Sequence, residues 1–182
     1  MKYTILLALL LLVPFAAKAQ TPITRDQANQ YYGNCVTEAA KTEQRFSVNS
    51  QKMFCGCTAA KMTESFTLED MAAMTDPNNP NARTALNKMI VNIYAPCMEA
   101  PTRDYHYSTC ISNPQVKILG GNAERVCSCS ADKIAQHLKN NGARMFQDIL
   151  ARSPDIVDPM QALYEDPQFQ QFAQAQLTSC LK

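Results

Sequence analysis

Two stretches decide the fold: Cys55-Gly56-Cys57-Thr58-Ala59-Ala60-Lys61-Met62 and Cys127-Ser128-Cys129-Ser130-Ala131-Asp132-Lys133-Ile134. Each holds a Cys-x-Cys pair followed by small and apolar residues at helical steps, and the two align without a gap. The likeness extends outward. Upstream, Tyr32-Gly33-Asn34-Cys35 stands opposite Tyr107-Ser108-Thr109-Cys110; downstream, Phe66 falls opposite Leu138. A single cysteine closes each half, Cys97 in the first and Cys180 in the second. The order Cys, Cys-x-Cys, Cys is therefore written twice. Cysteines and apolar register recur together, which is the mark of an internal duplication. The expected division is a first module over residues 20–100 and a second over 101–182, parted near Ala100-Pro101-Thr102.

The periodicity around these cysteines is helical. Over residues 24–44, Ala28, Tyr32, Cys35, Val36 and Ala39 recur at steps of three and four, behind a Thr24-x-x-Gln27 capping box. A helix starting near Ser50 places Cys55, Ala59, Met62 and Phe66 on one stripe. Its counterpart starts near Asn122, carries Cys127, Ala131, Ile134 and Leu138, and is expected to stop at Gly142, since glycine is a common helix terminator. Thr67 and Asp70 open a short helix through Met74, and residues 76–81 have the chemistry of a loop. A helix from Ala82 points Leu86, Ile90, Ile93 and Cys97 inward and is ended or kinked by Pro96. Further helices are expected around Phe146, Ile149 and Leu150, over residues 159–165, and from Pro167 through Phe169, Phe172, Ala173, Leu177 and Cys180. No segment alternates apolar and polar residues long enough for a strand. The expected fold is all-α, a helical bundle of two tandem disulfide-stapled modules.

The compartment is read from residues 1–19. One Lys precedes an apolar run over residues 5–13, then come Pro14 and Ala17-Lys18-Ala19, in the order of a secretory signal peptide cleaved near Ala19/Gln20. That run is shorter than the roughly 20 apolar residues needed to cross a bilayer. The mature chain of about 163 residues is thus expected to be exported, periplasmic or secreted, with no stable membrane insertion after cleavage. Over the full 182 residues, 46% are hydrophobic and 18% charged, which excludes a disordered chain. The formal charge is +1, and losing Lys2 and Lys18 leaves 15 basic against 16 acidic residues, or −1. Such a chain has no general attraction for nucleic acid.

In an oxidising compartment, eight cysteines form a disulfide framework. On the order of a hundred pairings are possible, but bonds kept within each repeat and shared by both leave three schemes. One joins the members of each Cys-x-Cys. Residues two apart on a helix point about 200° away from one another, so that scheme strains the ring. In the two that remain, Cys35 and Cys97 each bond one of Cys55 and Cys57, while Cys110 and Cys180 each bond one of Cys127 and Cys129. Each staple closes a loop of about 17 to 51 residues and contributes roughly 3–4 kcal/mol in the chain-entropy model.

A redox dithiol at Cys55-Gly56-Cys57 would draw on Lys52, with Arg125 beside the second pair, to lower a thiol pKa. Copper(I) favours Cys and Met ligands, and Met53, Met62, Met71 and Met74 flank the first pair, although methionine at helical spacing is commonly core filler. His106, opposite Tyr31 in the alignment, reads as an aromatic packing position, and His137 has no acid near it in sequence. Tyr31-Tyr32 and Tyr105/Tyr107 precede the first cysteine of each half, where they pack on a staple or offer a binding patch. Gly120-Gly121-Asn122 reads as a turn, and residues 168–176 form a helix with a glutamine-rich polar face. No catalytic motif, cofactor fingerprint or metal-ligand spacing is present. The expected function is that of an exported, non-enzymatic protein that binds a protein partner, in the manner of an inhibitor or immunity protein. The alternative is thiol–disulfide exchange or copper handling through the Cys-x-Cys pairs.

Overall fold

The computed structural model describes residues 20–42, 46–156 and 158–182, so the expected leader lies outside it. Among these residues the chain forms nine α-helices: α1 (Arg25–Thr42), α2 (Val48–Ser65), α3 (Leu68–Thr75), α4 (Ala82–Lys88), α5 (Glu99–Ser112), α6 (Pro114–Lys117), α7 (Ala123–Arg152), α8 (Pro159–Glu165) and α9 (Pro167–Cys180). Among the described residues, β pairing is confined to one isolated bridge between Pro22 and Thr67. The fold is all-α, and its helices pack together.

Local chemistry starts most of these helices. Ahead of α1, the Thr24 backbone N–H donates to Gln27 Oε1 at 2.9 Å and the Gln27 N–H donates to Thr24 Oγ1 at 3.3 Å, which closes the expected box. Thr67 and Asp70 make the same reciprocal pair at α3. Ser47 caps α2, three residues before the expected start, and its hydroxyl accepts from the Ser50 N–H. Asp158 and Asp166 cap α8 and α9, each with a proline in the first turn, where a missing N–H costs nothing.

Pro96 acts further upstream than its position. Its ring cannot tolerate the carbonyl four residues earlier, and it offers no N–H to the ladder. The backbone accordingly leaves α geometry after Lys88, widens into a π turn over Met89–Tyr94 and tightens into a 3-10 turn over Ala95–Cys97. The irregular stretch is still buried: Met89, Ile90, Val91, Ile93, Ala95 and Cys97 all face the interior.

The expected stop at Gly142 is not there. α7 runs unbroken for 30 residues, and the helix anticipated around Phe146 is its continuation. Gly142 is buried, and a Cβ built on it would lie 3.1 Å from the Ala95 carbonyl oxygen. The glycine therefore serves a close approach between α7 and the 3-10 turn, not a helix end. α7 stops at Arg152, before Ser153-Pro154.

Four disulfides join the helices: Cys35–Cys55, Cys57–Cys97, Cys110–Cys127 and Cys129–Cys180. This is one of the two schemes that helix geometry leaves open. The first cysteine of each pair reaches back, tying α2 to α1 and α7 to α5. The second reaches forward, tying α2 to the 3-10 turn and α7 to α9.

The hydrophobic cores follow a different division. One cluster lies within residues 20–100 and contains Ile23, Ala28, Met62, Phe66, Met89 and Ile93. A small one, around Val116, Ala123 and Cys127, lies within 101–182. The largest draws Ile90, Val91, Ala95 and Met98 from before residue 100 and Ile134, Leu138, Phe146 and Phe169 from after it. Residues 100–102 themselves lie in the first turn of α5.

The Gly142 contact yields a sign-reversing pair of substitutions. Gly142→Val is expected to destabilise the fold by about 1–3 kcal/mol through overpacking against the Ala95 carbonyl. Gly33→Ala, in α1 with open space around it, is expected to be neutral or stabilising by up to about 1 kcal/mol. Urea unfolding midpoints of the two variants measure both effects.

Candidate functional site

All eight cysteines are engaged in bonds across helices. Neither Cys-x-Cys pair is closed on itself, so the sulfurs that a vicinal dithiol would use are each held by a distant partner. Cys55 and Cys127 have no exposure to solvent, whereas Cys57 and Cys129 are half-buried. The two central helices thus bury and expose their cysteines in the same order. Lys52 and Arg125 are both exposed. Among the methionines, Met62 is buried in the first-half core and Met74 packs against it, while Met53 and Met71 face solvent.

The two histidines have different surroundings. His106, on α5, lies against Tyr164 and Phe169, with ring centroids 5.3 and 5.6 Å away, and edge-on to Tyr105. Tyr105 in turn stacks on Tyr164 at 4.1 Å. The His106 Nε2 is buried without a hydrogen-bond partner, and burial pushes the imidazole down to about 4. It is a packing residue that holds α5 against α8 and α9. Its counterpart Tyr31 also packs inward, against the first-half core. His137, on α7, stacks on Phe172 of α9 at 4.0 Å, and the Asn141 side-chain nitrogen lies 3.4 Å from its Nδ1. Burial and the charge of Arg144 hold it below the usual histidine range.

The tyrosines flanking the first staples divide in the same way. Tyr107 packs with Cys110 and Cys127 on the small second-half core. Tyr32 is partly exposed and lies over Gly56, at the rim of a shallow groove between α1 and α2. Gly120 adopts φ +56°, the left-handed conformation that favours glycine, and the adjoining Ile118 is 85% exposed.

One concavity joins residues that the sequence alone does not bring together. A cleft of about 690 Å³ opens where α7 ends and α8 begins, floored by Ile149, Ile156 and Ala162. Asp155, Asp158, Glu165 and Asp166 line it with Arg152. Asp166 is the anchor. One carboxylate oxygen accepts the Gln168 and Phe169 N–H groups at the start of α9, and the other accepts from Arg152 at 2.6 Å. Its side chain is only 7% exposed, whereas that of Arg152 is 49% exposed, so solvent screens the pair from the arginine side. Asp155 takes Arg83 at 2.9 Å, and Glu165 accepts from the Gln161 amide at 2.8 Å. Asp155 and Asp166 are paired with Arg83 and Arg152, so Asp158 and Glu165 leave the cleft with a net acidic excess over an apolar floor.

Buried His106 makes stability depend on pH. The unfolded imidazole takes up its proton near 6.5 and the folded one near 4, so the unfolded chain binds more protons between those values. The contribution is complete above about pH 6.5 and lost as pH falls toward 4, by up to about 3 kcal/mol. His106→Phe keeps the ring and removes the titration. Its stability relative to wild type is expected to rise steadily from pH 7 to pH 4 in urea unfolding, and a pH-independent difference would contradict the burial.

No family model, curated protein or solved structure matches the chain. The functional reading therefore rests on the geometry above.

Proposed function

We propose that the protein is exported and acts without catalysis, by binding a protein partner with a basic surface, as an inhibitor or immunity protein does. On this reading residues 1–19 are a leader removed near Ala19/Gln20, and the repeated cysteine order records a duplicated stapled module. Four intramolecular disulfides are compatible with an oxidising compartment, and no helix of the described residues is long and apolar enough to cross a membrane.

The observation that carries the binding reading is the acidic cleft on a covalently stapled frame. Its floor of Ile149, Ile156 and Ala162 inside a charged rim has the composition of a protein interface, apolar at the centre and polar at the edge. The disulfides fix α7 relative to α5 and α9 before any partner arrives, and such preorganisation reduces the entropy lost on association. Its excess of carboxylates attracts a basic surface and speeds encounter at low salt.

Affinity capture from the native envelope or medium, with disulfides intact, tests this reading. Expected is one stoichiometric protein partner whose binding weakens at least about tenfold for Ala162→Arg or Glu165→Lys, at unchanged helicity. Absence of a saturable partner, or undiminished binding by both variants, would overturn the reading. The competing chemistry is separated by thiol counting. A binding scaffold is expected to show no free thiol after mild reductant, whereas exchange or copper(I) chemistry requires one bond to open readily.

A further inference from the structure

On another part of the molecule, four helices meet around a second and smaller hollow. Its walls are Ala39 of α1, Phe46 just before α2, Phe54 of α2, Met98, Pro101 of α5 and Met160 of α8. Cys35 and Gln51 complete it. The volume is about 160 Å³. Among the described residues no charged side chain lines it, and the one polar lining side chain, Gln51, donates from Nε2 to the Phe46 carbonyl at 3.3 Å. Met98 and Pro101 are buried, whereas Ala39, Phe54 and Met160 are half-buried, so the hollow has an apolar interior and a mouth open to solvent.

We infer that this pocket is a binding site for a small neutral apolar ligand, the size of a single aromatic ring or a short branched alkyl group. Volume and chemistry together select that class. A dry cavity of about 150 Å³ with aliphatic and aromatic walls takes up benzene or xenon, and this pocket is of that size. Charged ligands find no counter-charge among the described lining residues and would lose hydration on entry. Larger amphiphiles exceed the volume. The walls are also adaptable: Met98 and Met160 are unbranched and polarizable, and a thioether beside an aromatic edge is a favourable contact. Phe54 is backed by Tyr94, with ring centroids 5.6 Å apart, which fixes one wall while the methionines adjust. The Cys35–Cys55 bond joins α1 to α2 at the pocket's edge and holds two of its walls together. The inference is independent of the protein-binding reading, because the cleft and the pocket share no lining residue.

The probe is toluene, added to the oxidised full-length mature protein carrying ¹³C-methyl methionine. Expected are saturable shifts of the Met98 and Met160 methyls, with the solvent-facing Met53 and Met71 unmoved as internal references. Ala39→Leu fills the pocket from its α1 wall and is expected to abolish the shifts. Met160→Ala enlarges it and is expected to move the preference toward larger alkylbenzenes. Helicity and thermal unfolding establish that each variant is folded. Linear, non-saturating shifts shared by all four methionines would overturn the assignment, as would undiminished binding by folded Ala39→Leu. Should Ala39→Leu not fold, an unchanged ligand preference in Met160→Ala overturns it equally.

Discussion

Two sulfurs on one helix, pointing to opposite sides, are the constraint on which the remaining structure depends. Cys55 and Cys57 are separated by about 200° around α2, and Cys127 and Cys129 by the same angle around α7. Each central helix can therefore be fastened on both flanks by cysteines two positions apart, and each is: back to α1 and α5, forward to the 3-10 turn and α9. The closed loops span 20, 40, 17 and 51 residues. Loops of this length each remove about 3–4 kcal/mol of unfolded-state freedom in the chain-entropy model. Total stabilities of single domains are typically about 5–15 kcal/mol, so the framework contributes on the scale of the whole.

Covalent and hydrophobic organisation are not the same thing in this chain. The disulfides repeat half by half, but the main core does not respect that division, because α7 crosses from its own staples into contact with the first half. Gly142 makes this possible by letting the helix lie 3.1 Å, measured from a notional Cβ, from the Ala95 carbonyl. Phe66 and Leu138, which stand opposite one another when the two cysteine patterns are aligned, also differ in setting. Both are buried, yet Phe66 closes the end of α2 while Leu138 lies in the middle of α7. Extending the second central helix gives the molecule one long axis around which α5, α8, α9 and the 3-10 turn assemble.

What could be read from the sequence was what local chemistry determines. Thr24 with Gln27, Thr67 with Asp70, the inward stripe of Ile134 and Leu138, and the directions of the paired sulfurs all act within a turn or two of helix. Gly142 has the local signature of a helix stop, but its neighbour Ala95 lies 47 residues away in sequence, and a glycine that permits close approach is identical on paper to one that ends a helix. The extent of the π turn before Pro96 escaped for a related reason: proline forbids one geometry without specifying its replacement. Both concavities were invisible. The cleft depends on α8 folding back across the end of α7, and the pocket unites Ala39, Phe54, Met98 and Met160 from four separate segments. The Asp-Pro steps at 158–159 and 166–167 did carry a signal, since each marks a capped helix at the cleft.

The distribution of staples says where the frame can yield. α8 contains no cysteine, yet it supplies Ala162 and Glu165 to the cleft and Met160 to the pocket. It is held by non-covalent terms alone: the fully buried Leu163, worth about 2 kcal/mol by apolar burial, the packing of Tyr164 on Tyr105 and His106, and the Arg152–Asp166 pair beyond its C-terminus. Elements held in that way open locally at lower free energy than covalently tied ones. The helix that borders both concavities is thus one whose position no disulfide fixes, while α1, α2, α5, α7 and α9 are each tied by at least one. On the two binding proposals, a stapled frame with one unstapled wall reconciles the rigidity that lowers the entropic cost of association with the small movements that would admit a ligand.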